Sequence, residues 1–260
     1  LKASLRGKSK NQAVCLICNE KKDNIIEDIS FRENAKIARI FTTTTINSSS
    51  HINGDYLKNY TLCQDCMELI SVAEDFIDKK LKFKIAGLDT YLIPFLHIDN
   101  KAFSYQKTIN VIKKKTDLLF QTDNLMDYMQ RTKRQADKLG EDDKIWKESI
   151  FDISFLTFKD DGQSFKIINI IESISKFDFE NIIQMLSKQY NVLIRFDKVS
   201  GFNLNRLYKL VPLKSEKKEK NELLLLYNNL FKLKMIKKEL IFTYFCTAVQ
   251  HRYLHHGSLK

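Results

Sequence analysis

The sequence predicts a helix-rich α+β fold: a four-cysteine module with short strands, followed by a β-hairpin and a helical C-terminal region. Three observations lead there. Two Cys-x-x-Cys pairs enclose β-like runs, and an Asp-Gly turn sits between two apolar stretches further on. Only seven Gly and two Pro punctuate 260 residues, too few for a many-turned sandwich and in keeping with long helices. The hydrophobic share of 43% and charged share of 29% are those of a packed globular chain, and the length allows one or two domains. A change of hydrophobic period divides the chain into an α+β module over residues 1–100 and a helix-rich region over residues 101–260, with the hairpin near 151–171.

The elements follow from local pattern. Ala13 to Ile17, Ile37 to Thr44, Phe83 to Ile85 and Tyr91 to Ile98 are rich in β-branched and aromatic residues and read as strands. Met67, Ile70, Ala73, Phe76 and Ile77 recur at helical spacing, so a helix runs from the second cysteine pair to Lys80. Ser48-Ser49-Ser50 and Asn53-Gly54 mark an exposed loop. Beyond Ala102, Ile109, Ile112, Leu119, Met126 and Met129 predict one long helix, or two broken near Gln121 to Asn124. Thr132 to Lys147 is charged and reads as exposed. Phe151 to Phe158 and Phe165 to Ile171 flank Asp160-Asp161-Gly162-Gln163, which predicts a hairpin. Phe179, Ile182, Ile183, Leu186 and Tyr190 form one helical face, Val192 to Phe196 reads as a returning strand, and Lys214 to Lys220 as a solvated break. Leu223 to Met235 and Ile236 to Tyr253 read as two closing helices.

Charge narrows the function. The chain carries +11 at neutral pH, which attracts polyanions, nucleic acid first and an acidic membrane surface second. No apolar run reaches the ~20 residues of a membrane span, and the basic opening is not followed by the apolar region of a signal peptide. A soluble, cytoplasmic protein is expected. The chain opens on Leu and both ends are basic, so it reads as a piece of a longer polypeptide.

Cys15 and Cys18, with Cys63 and Cys66, have the spacing that lets two thiolates from each tight knuckle reach one tetrahedral ion, and two such pairs complete a four-sulfur site for structural Zn²⁺. The second pair opens a predicted helix, whose free N–H groups and positive dipole end favour thiolates. Redox-active or buried free cysteines are the competing reading. Cys246, among Phe242, Tyr244 and Phe245, reads as a core thiol. A closed four-sulfur site leaves no position for a reacting water, and the usual signatures of nucleotide hydrolysis, hydride transfer, metalloproteolysis and serine hydrolysis are missing, so no enzyme is expected. A weaker third reading, a nuclease, would place Mg²⁺ on acidic residues such as Asp142 and Asp143. Basic clusters are the remaining candidates, and Lys113, Lys114, Lys115, Arg131, Lys133, Arg134, Lys232, Lys234, Lys237 and Lys238 are the residues expected to meet phosphates. Tyr244, Phe245 and Tyr253 beside them offer rings that could stack on bases, and read first as core.

The ordered set of Cys15-Leu-Ile-Cys18, an insertion, Tyr60-Thr-Leu-Cys63-Gln-Asp-Cys66, a helix, Gly87, Tyr91-Leu-Ile-Pro94 and a Phe-rich hairpin with Ser164-Phe165-Lys166 resembles the large subunit of type I-B CRISPR interference (Cascade) complexes. The landmarks cover residues 13 to 175. The resemblance implies a subunit that sits with backbone subunits along a guide RNA, contacts target DNA and helps recruit the helicase-nuclease. A zinc-stabilised protein-interaction scaffold without direct nucleic-acid contact is the alternative.

Overall fold

A computed structural model describes residues 12–26, 61–97, 104–121, 140–161, 165–196, 204–209, 211 and 218–256. The predicted strand Ile37 to Thr44, the loop at 48–54, Met126 and Met129, and Arg131, Lys133 and Arg134 lie outside these residues. The architecture is α+β and helix-rich. Strands β1 (Ala13–Val14), β2 (Lys21–Lys22), β3 (Ile25–Ile26) and β4 (Leu62–Cys63) lead into helix α1 (Gln64–Lys80). Strands β5 (Lys82–Ile85) and β6 (Leu88–Leu96) follow, then α2 (Tyr105–Gln121), α3 (Glu141–Glu148), β7 (Phe151–Asp160) and β8 (Phe165–Ser175). The chain closes with α4 (Lys176–Phe196), a short 3-10 turn at Leu204–Lys209, α5 (Lys218–Phe231) and α6 (Lys238–His256). None of the described helices is long and apolar enough to cross a membrane.

Two compact units emerge, the first of Leu1–Lys82 with Phe158–Ile167, the second of Phe83–Thr157 with Ile168–Lys260. In the first, β1 pairs with β2 and β3 with β4, both antiparallel, with Ile25 opposite Cys63 and Ile26 opposite Leu62. Among the described residues, Ile25, Ile26, Leu62 and Met67 close around Cys15, Cys63 and Cys66.

The four-stranded sheet has the order β5-β6-β7-β8. Ala86 and Gly87, both at positive φ, make the two-residue turn whose twist suits a hairpin between β5 and β6. In β6 and β7, Tyr91 faces Leu156 and Leu96 faces Phe151. The second unit's core is aromatic: Phe83, Phe120, Phe155, Tyr227 and Phe231 are buried with ring centroids 5.0 to 6.3 Å apart. The Tyr227 hydroxyl donates to the Leu204 carbonyl at 2.7 Å, which satisfies the one polar atom this ring carries inward.

The predicted hairpin is present. So are the strands expected at 83–85 and 91–98, the second beginning three residues earlier at Leu88 and with Ile98 outside the described residues, the helix ending at Lys80, and two closing helices. Four expectations are overturned. Val192 to Phe196 continues α4 instead of forming a strand, because no Gly or Pro follows Tyr190 and an established helix extends one bond per residue. The charged stretch before Lys147 is not simply exposed: α3 buries Ile145 and Trp146, while its charged residues cover the outer side. Cys246 is exposed and so are Phe245 and Tyr253, since the apolar residues of α6 are spread around its axis and Tyr244 alone of these four turns inward. The first predicted strand stops at Val14, where the cysteine knuckle begins.

Candidate metal centre

Hydrogen bonds join the two segments, distant in sequence, that carry the knuckles. The Leu16 N–H donates to the Thr61 carbonyl at 2.9 Å, and the Thr61 hydroxyl donates to the Val14 carbonyl at 2.5 Å. The Gln64 N–H donates to the Asn24 carbonyl at 3.1 Å, locking the start of α1 to the turn before β3. Within the first knuckle, the Asn19 N–H donates to the Cys15 carbonyl at 2.9 Å and the Cys15 N–H to the Glu20 carbonyl at 3.0 Å. Asn19 closes this turn in the left-handed region, φ 56°, which Asn tolerates better than other non-glycine residues.

This scaffold gathers all four predicted cysteines. Their Sγ atoms lie within 4.8 Å of one another, and Cys18 Sγ is 4.0 Å from Cys63 Sγ. A tetrahedral ion with metal–sulfur bonds of ~2.3 Å needs sulfur–sulfur edges of about 3.8 Å. The donor set therefore fits a single ion, and the thiols are free, not paired in disulfides. Cys15, Cys63 and Cys66 are buried and Cys18 half-buried, which leaves the cluster closed.

Electrostatics point the same way. Burial raises the Cys15 thiol, but the backbone N–H groups of Cys18, Cys63 and Ile17 and the Cys18 thiol outweigh it and lower it to about 6. The Cys63 N–H lies 3.3 Å from that sulfur. At Cys18 the Glu20 N–H pulls downward, yet burial and the Cys15 sulfur raise the thiol. Hydrogen bonding to Cys63, then burial, then the Cys15 and Cys18 sulfurs push Cys66 up to about 12. Four sulfurs this close cannot all ionise unless a cation joins them.

Metal affinity should therefore fall steeply with acid. The sign follows from the raised thiols: at neutral pH Cys18 and Cys66 keep their protons until a metal displaces them, so each contributes about a tenfold loss per pH unit lowered. Together they give about a hundredfold per unit, and below about 6 Cys15 adds to it. Competition against a chelating dye between pH 6 and 8 checks this. The Asn19 turn makes a second expectation. Asn19→Gly should change affinity little, whereas Asn19→Val, with a branched side chain at positive φ, should weaken it by about 1–2 kcal/mol, roughly five- to thirtyfold in the same competition.

The expected phosphate-binding lysines separate into two groups. Lys113 is ion-paired with Asp117, Lys114 with Asp142 at 2.6 Å, and Lys115 with Asp143 at 3.0 Å, the last beside the Trp146 ring. The last two pairs tie α2 to the first turn of α3, where Lys107 also meets Glu141 at 2.5 Å. Asp142 and Asp143, the candidate Mg²⁺ ligands, are thus both held by lysines. Lys232, Lys234, Lys237 and Lys238 are exposed, and none of the four pairs with a carboxylate among the described residues. Sequence reasoning missed Asn19 and Thr61. An Asn directly after a Cys-x-x-Cys knuckle was the signal for the first; nothing local marks the second, whose partner is 47 positions away.

A four-cysteine cluster able to hold a metal ion, set between short strands and the start of α1 and followed in sequence by a four-stranded sheet, defines the class of this chain. Residues 12–174 match the model of the CRISPR-associated protein TM1802 (cas_TM1802) central domain, more than half of the chain, and the chain belongs to that family. The match contains both cysteine pairs and β5 to β7 and stops within β8. Neither a curated protein nor a solved structure matches it.

Proposed function

We propose that the chain is a non-catalytic, zinc-stabilised, nucleic-acid-contacting part of an RNA-guided interference complex of type I-B, serving antiviral defence as its large subunit. The observation that carries this reading is the closed cysteine cluster lying inside the stretch that matches a CRISPR-associated family. Zn²⁺ is the ion that suits four thiolates in tetrahedral array, and its role is architectural because no ligand position stays open. Guide RNA, target DNA, backbone subunits and the helicase-nuclease are the partners, at a cytoplasmic site without a membrane.

Exposed Lys232, Lys234, Lys237 and Lys238, which pair with no carboxylate among the described residues, support phosphate contact, whereas Lys113 to Lys115 would first have to give up their aspartates. Co-purification with the neighbouring gene products and their guide RNA tests the reading. Recovery in a stoichiometric ribonucleoprotein is expected; a chain that stays free of both would overturn it. The alternative, a scaffold without nucleic-acid contact, draws support from the three paired lysines of α2. It requires that Ser at all four positions from Lys232 to Lys238 leave interference intact.

A further inference from the structure

Helix α6 buries Tyr244 but leaves Phe242, Phe245 and Tyr253 at 68%, 60% and 62% exposure. At 3.6 residues per turn, these three rings fall within about 80° of arc on one side of the helix, spread over about 16 Å. Lys238 opens the same stripe one turn before Phe242, and Lys237, Lys234 and Lys232 precede it. Their approach is fixed by the end of α5: Leu233 sits at φ 50°, the Leu233 N–H donates to the Leu230 carbonyl at 3.1 Å and the Lys234 N–H to the Asn229 carbonyl at 2.8 Å. That is the double hydrogen bond that ends a helix with one left-handed residue. Glu239 is the single carboxylate in α6, and it lies off the stripe.

We infer that this face is a stacking platform for single-stranded nucleic acid, with bases on Phe242, Phe245 and Tyr253 and the backbone on Lys232, Lys234, Lys237 and Lys238. The stripe lies outside residues 12–174, and nothing in the family match assigns it. Its chemistry selects the occupant. Aromatic rings offer flat faces that any base can use, and exposed lysines supply the charge a phosphate backbone needs. A second copy of this chain would bring another +11 against the same lysines. An apolar protein helix would leave those lysines without a role. This proposal rests on the reading that the chain contacts nucleic acid and adds where, and in which strandedness.

The test uses the full zinc-loaded chain and fluorescent oligothymidylate, oligouridylate and a DNA duplex, each of about 20 nucleotides, longer than a single-strand site. Changing Phe242, Phe245 and Tyr253 together to Ala should weaken binding of the single strands by at least about a hundredfold, since each stacked ring contributes about tenfold. Duplex binding should change less than threefold. Changing the four lysines to Ser should flatten the slope of log affinity against log salt by about 3. Bulky alkylation of exposed Cys246, which lies beside the stripe, should be slowed by oligothymidylate in the unsubstituted protein, a readout that needs no variant. If the unsubstituted protein binds single strands and the ring variant binds them equally well, this inference is overturned while nucleic-acid contact stands. If no probe binds at low salt, both fail. Self-association that the ring substitutions abolish, without single-strand binding, would assign the face to a second copy and overturn it too. A preference between the thymidylate and uridylate arms identifies the strand as DNA or RNA.

Discussion

Replacing Cys63 by Ser should release the metal and unfold the first unit's described core. Three of the seven residues in that core are the thiols Cys15, Cys63 and Cys66, and the apolar remainder is Ile25, Ile26, Leu62 and Met67. So few buried groups cannot offset the entropy of ordering two knuckles and four two-residue strands. Apparent zinc binding of about 10–16 kcal/mol is the scale on which such sites contribute to folding. Cys63 is a severe place to lose a ligand, because its N–H also donates to Cys15 Sγ and its residue pairs with Ile25. On the proposed zinc reading, metal content should fall from about one ion per chain to well below it, and amide exchange at residues 13–26 and 61–67 should lose its protection. Cys246→Ser, at an exposed thiol outside the cluster, should keep the zinc and change stability by less than about 0.5 kcal/mol. A Cys63→Ser protein with full zinc and unchanged exchange would disprove the metal centre.

Much of this site was legible in the sequence because its information is local. A Cys-x-x-Cys pair fixes its own turn, and two pairs in one chain leave few ways to satisfy four thiolates. Joining the pairs is another matter: the bonds from Thr61 to Val14 and Leu16 span more than 40 positions and involve residues with no chemical signature. The hairpin at β7 and β8 was legible for the same local reason, an Asp-Gly turn between apolar runs. Val192 to Phe196 was misread because its β-branched residues match a strand in isolation, while the preceding helix supplies the cooperativity that decides the outcome. Composition could not distinguish Lys113 to Lys115 from Lys232 to Lys238. The difference is that Asp117 stands one turn beyond Lys113 on its own helix and the start of α3 presents Asp142 and Asp143 to α2, whereas no carboxylate among the described residues reaches the turn after α5. Nor could periodicity say which side of α6 is covered, since a helix whose apolar and polar residues are mixed around its axis has no preferred face of its own.

Phe155→Ala should cost about 3–5 kcal/mol, the other large effect, by removing the ring at the centre of the second unit's core. Phe155 is fully buried on β7, opposite Leu92 of β6, and its centroid lies 5.6 Å from Phe83, 5.7 Å from Phe120 and 5.0 Å from Phe231. One substitution therefore loosens β5, α2 and α5 together, and neighbours held on three sides cannot collapse into the space. With total stabilities of about 5–15 kcal/mol, the variant should be marginal, and its urea midpoint should drop by more than about 1 M. Phe155→Leu, which keeps most of the volume, should lose less than half as much. The consequence reaches the exposed stripe, because Phe231 is the last residue of α5 and Lys232 follows it directly. In urea beyond its own midpoint but below that of the unsubstituted chain, Phe155→Ala should lose oligothymidylate affinity while the unsubstituted protein retains it. A midpoint shift equal to that of Phe155→Leu would mean that the four rings do not meet, and the anchoring of α5 would have to be sought elsewhere.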